Sequence, residues 1–203
     1  MARTRTVRLR MSRACGRMAA ALSLAFILGM AGARAADTSA PTPTAMIALQ
    51  NAHWIAAGSS QPTHVVYVFI DANCSYCHQL LQRLRPYYSQ GLQVRNVLVS
   101  VIQPSSTGKA AAIMDARDPA AALAANEQHW GSRTDGGGGI APVAKPNAAD
   151  TKILDHHLAL MDGFGFPGTP GIVYLDASGK VNLMAGVPDA SQIAQIVSDS
   201  IIP

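Results

Sequence analysis

Cysteine is scarce in this 203-residue chain, which contains only Cys15, Cys74 and Cys77. This scarcity argues against a disulfide-stapled scaffold, because a bond across the short gap between Cys74 and Cys77 would close almost no loop. It also argues against structural zinc, which needs two more ligands, and His156 and His157 are adjacent rather than spaced for one metal ion. A close pair of this kind is better explained by redox chemistry than by stability, and we predict no metal site.

The chain also lacks an apolar run long enough to cross a membrane. The apolar run from Met18 to Ala31 has 14 residues, short of the roughly 20 that a spanning helix needs. Six arginines precede it, and the small-x-small sequence Ala33-Arg34-Ala35 follows it. This order is typical of a secretory signal peptide. We therefore predict a cleavable signal over residues 1–35 and a periplasmic location.

Without residues 1–35, the chain has no strongly basic segment. The whole chain has 16 Lys and Arg against 12 Asp and Glu, a net charge of +4. Seven of those bases and none of the acids lie in residues 1–35, so nine bases and 12 acids remain, a net charge of −3. The remaining part has no cluster of basic and aromatic residues, so the sequence predicts no nucleic-acid partner.

Hydrophobic patterning in the rest of the chain predicts an α/β domain. The predicted elements are a helix over 44–57, a strand over 65–70, a helix over 77–84, a strand over 92–102, two helices within 109–130 divided at Asp118-Pro119, a helix over 148–161, strands over 172–175 and 181–185, and a helix over 190–201. This order indicates a three-layer arrangement with a mixed sheet, the thioredoxin pattern with a helical insertion. Within the insertion, residues 131–147 include Gly136–Gly139 and are predicted to form a mobile surface loop.

The candidate redox centre is the sequence Cys74-Ser75-Tyr76-Cys77, directly after a buried strand and at the start of a helix. Free backbone N–H groups and the helix dipole favour a thiolate at this position. We therefore predict that Cys74 is the nucleophile and that Cys77, one turn further and more buried, is the resolving thiol. Ser75, Tyr76 and His78 are candidate tuning residues, and the side chain of His78 could equally point to solvent.

A second candidate element is the Gly- and Pro-rich segment 163–171, immediately ahead of a predicted strand. In thioredoxin-like folds the loop at this place carries a cis-proline that faces the cysteine pair. We predict a cis bond between Thr169 and Pro170, which would leave the Thr169 backbone available to an extended substrate chain. Phe164 and Phe166 in the same segment are predicted to be exposed.

The remaining polar and aromatic candidates have ordinary structural interpretations. Asp71 is predicted to cap the active-site helix or the turn before it. The other histidines are predicted to be solvated or to cap helices, and the tryptophans to pack: His53, His64, His129, His156, His157, Trp54 and Trp130.

The sequence resembles the DsbC/DsbG family of periplasmic disulfide isomerases and reductases, and is more similar to DsbG. The resemblance covers roughly residues 50–200 and is carried by Asn51–Gly58, Val65–Asp71, Cys74–Cys77, Leu84–Pro86, Leu98–Ile102, Ala110–Ile113, Asp118-Pro119, Thr169-Pro170 and Gly186–Asp189. It implies a thioredoxin fold with a helical insertion at about 104–163, catalytic cysteines matching Cys74 and Cys77, and a substrate-binding loop matching Thr169 and Pro170.

The chain departs from the family pattern in two places. Ser75 stands where the family usually has Gly or Pro. The family also carries an N-terminal dimerisation domain before a linker helix, whereas here a short segment and the linker helix, residues 36–60, precede the catalytic domain over 61–203. We therefore expect a monomer that oxidises or reduces disulfides better than it shuffles them.

The resemblance implies a thiol:disulfide oxidoreductase that needs no cofactor beyond its own Cys74–Cys77 disulfide. Its expected partners are exported cysteine-containing proteins and a membrane thiol electron donor. Two alternatives remain open. One is a DsbA-like thiol oxidase with the same two cysteines, and the other is a periplasmic chaperone or metallochaperone that uses Phe164 and Phe166 as part of a binding platform.

Overall fold

The run of β-branched and aromatic residues from Val65 to Ile70 forms the middle of a five-stranded sheet. The computed structural model describes residues 43–203. The signal peptide predicted over 1–35 and the start of the N-terminal segment lie outside the described residues. In the described part, no helix is both long and apolar enough to cross a membrane.

The described elements follow the predicted order closely. They are α1 (Pro43–Gln50), β1 (Ile55–Gly58), β2 (His64–Asp71), α2 (Ser75–Leu84), a 3-10 helix (Arg85–Gln90), β3 (Leu92–Val99), α3 (Ser106–Met114), α4 (Pro119–Gln128), α5 (Ala148–Gly163), β4 (Gly171–Leu175), β5 (Val181–Ala185) and α6 (Ala190–Asp199). The strand order is β1-β3-β2-β4-β5, with β2 and β3 parallel and every other neighbouring pair antiparallel. The predicted α/β thioredoxin fold with a helical insertion is confirmed.

Strand β2 is buried on both faces because helices cover the sheet on both sides. Alternate side chains enter separate cores: Val66, Val68 and Ile70 pack with residues of α2, α3, α4 and α6. Val65, Tyr67 and Phe69 enter the other core, which also receives residues of α1 and α5. The two-residue period of the strand thus builds a three-layer molecule, and the end of β2 delivers the cysteine pair to the start of α2.

The helix predicted over residues 44–57 is wrong in its second half. Helix α1 ends at Gln50, and Ile55–Gly58 forms β1, which pairs antiparallel with β3. Only four residues are involved, too few for a strand pattern to be read against the helical spacing of the apolar residues before them. Pairing with the open edge of β3 satisfies their backbone groups and decides the outcome.

Two helices of the insertion, α4 and α5, begin where the sequence predicts, whereas α3 begins at Ser106, ahead of the predicted start at Lys109. Asp118 caps α4 by accepting a hydrogen bond from the backbone N–H of Ala121, and Pro119 occupies the first turn. Asn147 caps α5 through the N–H of Asp150. The insertion therefore consists of α3, α4 and α5 with the glycine-containing loop between the last two.

Candidate active site

Cys74 occupies the N-cap of α2, in an extended backbone conformation that ends the turn after β2. Its Sγ accepts a hydrogen bond of 3.2 Å from the backbone N–H of Cys77. Both cysteines are free thiols and both are buried. The position predicted from the sequence, directly after a buried strand and at a helix N-terminus, is confirmed.

The protonation tendencies of the two thiols diverge. A hydrogen bond from the side chain of Cys77 is the main cause that lowers the pKa of Cys74 to about 6, with further contributions from Thr169 and from the backbone N–H groups of Cys77 and Tyr76. Burial raises the pKa of Cys77, and the neighbouring Cys74 adds to that rise. At neutral pH this arrangement provides one thiolate that can attack and one protonated thiol in reserve.

The peptide bond between Thr169 and Pro170 is cis, as predicted. In its protonated form the Cys74 thiol donates to the carbonyl oxygen of Thr169 over 3.5 Å, so the loop lies directly against Cys74. The side chain of Thr169 lowers the pKa of both thiols. The loop therefore acts on the cysteine pair through both the backbone and the side chain of Thr169.

The predicted exposure of Phe164 and Phe166 is wrong, because each is only 5% exposed. Their rings pack on Phe69 with centroids 6.0 and 5.9 Å apart. The loop after α5 turns back under the sheet, and burial of two aromatic side chains stabilises that path. These residues belong to the core, so they cannot provide the binding platform that the chaperone interpretation requires.

Of the three candidate tuning residues, Ser75 and Tyr76 are exposed beside the redox pair. Tyr76 is 62% exposed and is the large apolar surface nearest to Cys74 along the chain. His78 was predicted either to tune Cys74 or to point to solvent, and the structure shows its half-buried side chain in contact with α4 and its C-terminal end. Its Nδ1 lies 2.8 Å from Glu127 Oε2, its ring stacks on Trp130 at 4.6 Å, and its Nε2 lies 2.6 Å from the side-chain nitrogen of Gln82.

Asp71 does more than cap the turn before the helix. Its carboxylate accepts from the Asn73 N–H at 2.8 Å, which confirms that part of the prediction. It also accepts from the Ser106 hydroxyl at 2.7 Å and from the N–H groups of Val101 and Ile102 at 2.7 and 3.0 Å. This buried carboxylate joins the end of β2 to the segment that follows β3.

The sequence reasoning missed Lys109, a fully buried lysine of α3. Its Nζ donates to Asn73 Oδ1 at 2.7 Å and to the carbonyl oxygens of Gly136 and Gly138 at 2.9 and 2.8 Å. The loop predicted to be mobile is therefore bound to the residue that precedes Cys74. The signal in the sequence was a single lysine between Gly108 and a run of alanines in a predicted helix, a position where a buried lysine needs polar partners.

His157 was predicted to be solvated or to cap a helix, and this is wrong. The side chain is completely buried, and its Nδ1 lies 2.7 Å from the carbonyl oxygen of Leu98. Burial lowers the pKa of His157 to about 4. It supports β3 from α5 and lies outside the redox centre.

A cavity of about 490 Å³ lies behind α2, and neither cysteine lines it. Its wall includes His78, Glu127, Trp130 and the buried Asn96. Cys74 and Cys77 are only 3% and 1% exposed, and the exposed residues beside them are Ser75 and Tyr76. No group of three or more His, Cys, Asp or Glu side chains within residues 43–203 is arranged to hold a metal ion.

Comparison with known proteins places these features in context. A thioredoxin-like domain family matches residues 49–201. The thiol:disulfide interchange protein DsbG of Pseudomonas aeruginosa is 35% identical over 150 residues, which cover 73% of this chain and 57% of that protein. DsbC of Haemophilus influenzae is 36% identical over 112 residues, 54% of this chain and 43% of that protein. The chain thus matches about half of the length of these curated relatives.

Among solved structures, the catalytic domain of Proteus mirabilis ScsC superimposes with a TM-score of 0.60. The match covers 76% of this chain and 93% of that domain at 22% sequence identity. At this identity the similarity establishes the fold alone.

Proposed function

The chain belongs to the thioredoxin-like family, in its DsbC/DsbG group of thiol:disulfide interchange proteins, and from that membership we propose that it is a periplasmic thiol:disulfide oxidoreductase. It exchanges disulfides, or reduces oxidised cysteines, in exported proteins. One observation carries the proposal: the free thiols of Cys74 and Cys77 lie together at the N-terminus of α2, with Cys74 in contact with the cis-proline loop.

Reduction of a substrate disulfide begins at Cys74. Its thiolate attacks one substrate sulfur, the substrate S–S bond breaks, and the other substrate sulfur leaves as a thiolate. The Cys77 thiol then loses its proton and attacks Cys74 Sγ, which releases the second substrate thiolate. Two electrons pass to the substrate, and the protein is left with a Cys74–Cys77 disulfide.

An oxidised single cysteine follows the same route. The Cys74 thiolate attacks the sulfur of a sulfenic acid, and the S–O bond breaks with release of water after protonation. Cys77 resolves the resulting mixed disulfide. In both cases the thiol of Cys77 serves a second purpose before it attacks, because its hydrogen bond to Cys74 Sγ stabilises the thiolate.

The substrate lies between the cis-proline loop and Tyr76. The backbone of Thr169, next to the Cys74 sulfur, pairs with an extended segment of substrate. The exposed ring of Tyr76 offers apolar contact on the other side. Recognition through backbone groups suits a protein that acts on many exported cysteine-containing proteins.

The proposed location rests on residues 1–35, whose basic segment, apolar run and Ala-x-Ala exit direct export. Turnover as a reductase requires that the Cys74–Cys77 disulfide be reduced again. A membrane thiol donor would supply those two electrons. No further cofactor is needed for either half-reaction.

The oxidase alternative is supported by one observation. A pKa of about 6 for Cys74 stabilises the dithiol form at neutral pH, and stabilisation of that form makes a disulfide more oxidising. Trapping the protein with acid and alkylating it directly from cells separates the two directions. Reduced cysteines support the reductase, and a stable disulfide supports the oxidase.

Catalysis itself is tested by the reduction of insulin with dithiothreitol. The protein should accelerate precipitation of the insulin B chain, and Cys74→Ala should abolish the acceleration. Ser60→Ala serves as a control at an exposed position outside the candidate site and should retain activity. If the unsubstituted protein leaves the rate unchanged, the proposed function is wrong.

A further inference from the structure

The helical insertion contacts the short segment that delivers the nucleophile. Residues Asp71–Asn73 connect β2 to Cys74, and the carbonyl oxygen of Ala72 within them accepts two hydrogen bonds. One comes from the N–H of Gly138 at 3.1 Å and the other from the side-chain amide of Asn126 at 3.0 Å. Both donors belong to the insertion, so its packing and the position of Cys74 are linked.

Lys109 is the central residue of this contact. Besides its bonds to Asn73 Oδ1 and to two glycine carbonyl oxygens, its Nζ lies 3.0 Å from Asp135 Oδ2. Removing an ammonium group from water is costly unless several polar groups replace the solvent. Here four oxygens do so, and one of them belongs to the residue immediately before Cys74.

The glycine loop approaches this segment so closely that a side chain cannot be accommodated. A Cβ at Gly137 would lie 2.4 Å from Asn73 Oδ1 and 2.8 Å from Asn73 Cα. Its neighbour Gly136 also has a positive φ, of 71° against 63° at Gly137, yet a Cβ there would meet nothing within 4 Å. The two adjacent glycines therefore differ in contact with Asn73 while sharing the same backbone conformation.

We propose that Lys109 and the backbone of Gly136–Gly138 act as a clamp that positions Cys74. The clamp holds the loop in contact with Ala72 and Asn73. This contact fixes the turn that precedes α2, in which the Cys74 N–H donates to Asp71 O at 3.0 Å. With that turn fixed, Cys74 Sγ stays at the N-cap, within reach of the Cys77 N–H and side chain. An effect of the clamp on catalysis rests on the proposed function, whereas its effect on the pKa of Cys74 does not.

The clamp acts through geometry rather than through the charge of Lys109. Asp135 lies beside the ammonium group and offsets it, and Lys109 holds the pKa of Asp135 below its ordinary value. Gly137→Ala changes no charge and leaves the lysine in place. It therefore tests the geometric effect alone, while Lys109→Met removes the hydrogen bonds and the charge together.

The experiment measures the rate of alkylation of Cys74 against pH in the full chain carrying Cys15→Ser and Cys77→Ser, which leaves Cys74 as the single thiol. Gly137→Ala and Lys109→Met should each raise the midpoint. At a fixed pH below the midpoint, the rate should fall at least about threefold, as expected for a rise of half a unit. Gly179→Ala, which also has a positive φ and free space around an added Cβ, and Lys145→Met, at an exposed lysine, are the matched controls and should leave the midpoint unchanged.

A purely structural role would lower the thermal stability of the variants without moving the midpoint, and that result overturns the proposal. If a variant fails to fold, Asn73→Ala provides the second measurement, because it removes the contact with Lys109 while leaving three other oxygens around the ammonium group. An unchanged midpoint in a folded Asn73→Ala protein likewise overturns it. Inactivity of the parent protein toward insulin would refute the proposed function and leave the midpoint comparison valid.

Discussion

At the scale of single residues, the reactivity of Cys74 depends on its partner before any substrate arrives. The largest contribution to its low pKa is the hydrogen bond from the side chain of Cys77, ahead of the backbone N–H groups at the helix start. The helix N-terminus predicted from the sequence therefore accounts for only part of the effect. Pairing of the two sulfurs contributes most, and Thr169 adds to it.

This dependence predicts different outcomes for two substitutions of Cys77. Cys77→Ala removes the donor, so the pKa of Cys74 should rise from about 6 toward the ordinary value of 9.0. Cys77→Ser keeps a hydroxyl donor and should hold the pKa closer to its present value. The pH dependence of iodoacetamide alkylation measures both. Equal midpoints for the two variants would contradict the assignment of the Cys77 side chain as the main donor.

His157 makes the stability of the protein sensitive to acid. Burial lowers its pKa in the folded state from 6.5 to about 4, so below pH 6.5 the unfolded chain binds a proton that the folded protein refuses. The free energy of unfolding should fall between pH 6.5 and about 4 by an amount on the order of 3 kcal/mol and then level off. The contribution is fully present above pH 6.5.

Urea unfolding at several pH values tests this contribution. His157→Asn can retain a donor toward the Leu98 carbonyl oxygen and has no titrating ring, so its stability should vary less between pH 6.5 and 4. His156→Asn, on the exposed side of the same helix, should follow the unsubstituted protein. A variant at His157 with the same acid sensitivity as the parent would exclude this residue as the cause.

At the scale of elements, β1 shows how tertiary pairing replaces a local preference. The strand ends at Gly58, whose φ is +96° and whose added Cβ would lie 2.4 Å from the carbonyl oxygen of Leu92. Ser59 N–H then donates to the same carbonyl oxygen at 2.9 Å. The edge strand is thus held against β3 by a close backbone approach that only glycine permits.

We therefore expect Gly58→Ala to be more harmful than the same change at a glycine with free space. Gly179, in the turn between β4 and β5, has a φ of +80° and no atom within 4 Å of an added Cβ. Gly179→Ala should cost about 1 kcal/mol from backbone strain alone. Gly58→Ala should cost at least about 2 kcal/mol, because a clash is added. The urea unfolding midpoints of the two reduced variants measure these losses in stability. Equal losses would mean that β1 can move away from Leu92 to relieve the clash.

At the scale of the whole molecule, the apolar face of α1 is covered by its own chain. Met46 and Leu49 are buried in the core that contains Val65, Tyr67 and Phe69, whereas Ile47 is 57% exposed. A helix that lay free in water would lose roughly 1.5–3 kcal/mol for each such side chain. Of the two outcomes open to this helix, folding back and pairing with a second copy, the described residues adopt the first.

The prediction of a monomer follows from this coverage. A stable dimer buries about 800 Å² on each partner, usually with apolar residues at its centre, and α1 offers little beyond Ile47. Light scattering of the purified, processed protein at micromolar concentration should give the monomer mass. A mass near twice that value would overturn the prediction, and with it the expectation that disulfides are reduced or oxidised better than they are shuffled.

The sequence by itself determined the place of the cysteine pair and the order of the helices and strands from β2 onward. The spacing of Cys74 and Cys77, their place after a buried strand, and Thr169-Pro170 ahead of another strand follow from local patterns, since each depends on residues close together in the chain. The same holds for the division between two helices at Asp118-Pro119. These features could be predicted because short-range geometry fixes them.

Only the tertiary structure decided which distant residues support the centre. The clamp joins Asn73 to Lys109 and to Gly136–Gly138, a separation of more than 30 residues that no local period reveals. Strand β1, the burial of Phe164 and Phe166, and the neutral His157 have the same origin. In each case the free energy comes from a partner brought near by the fold, because a backbone edge, an apolar face or a carbonyl oxygen is available there and not in the neighbouring sequence.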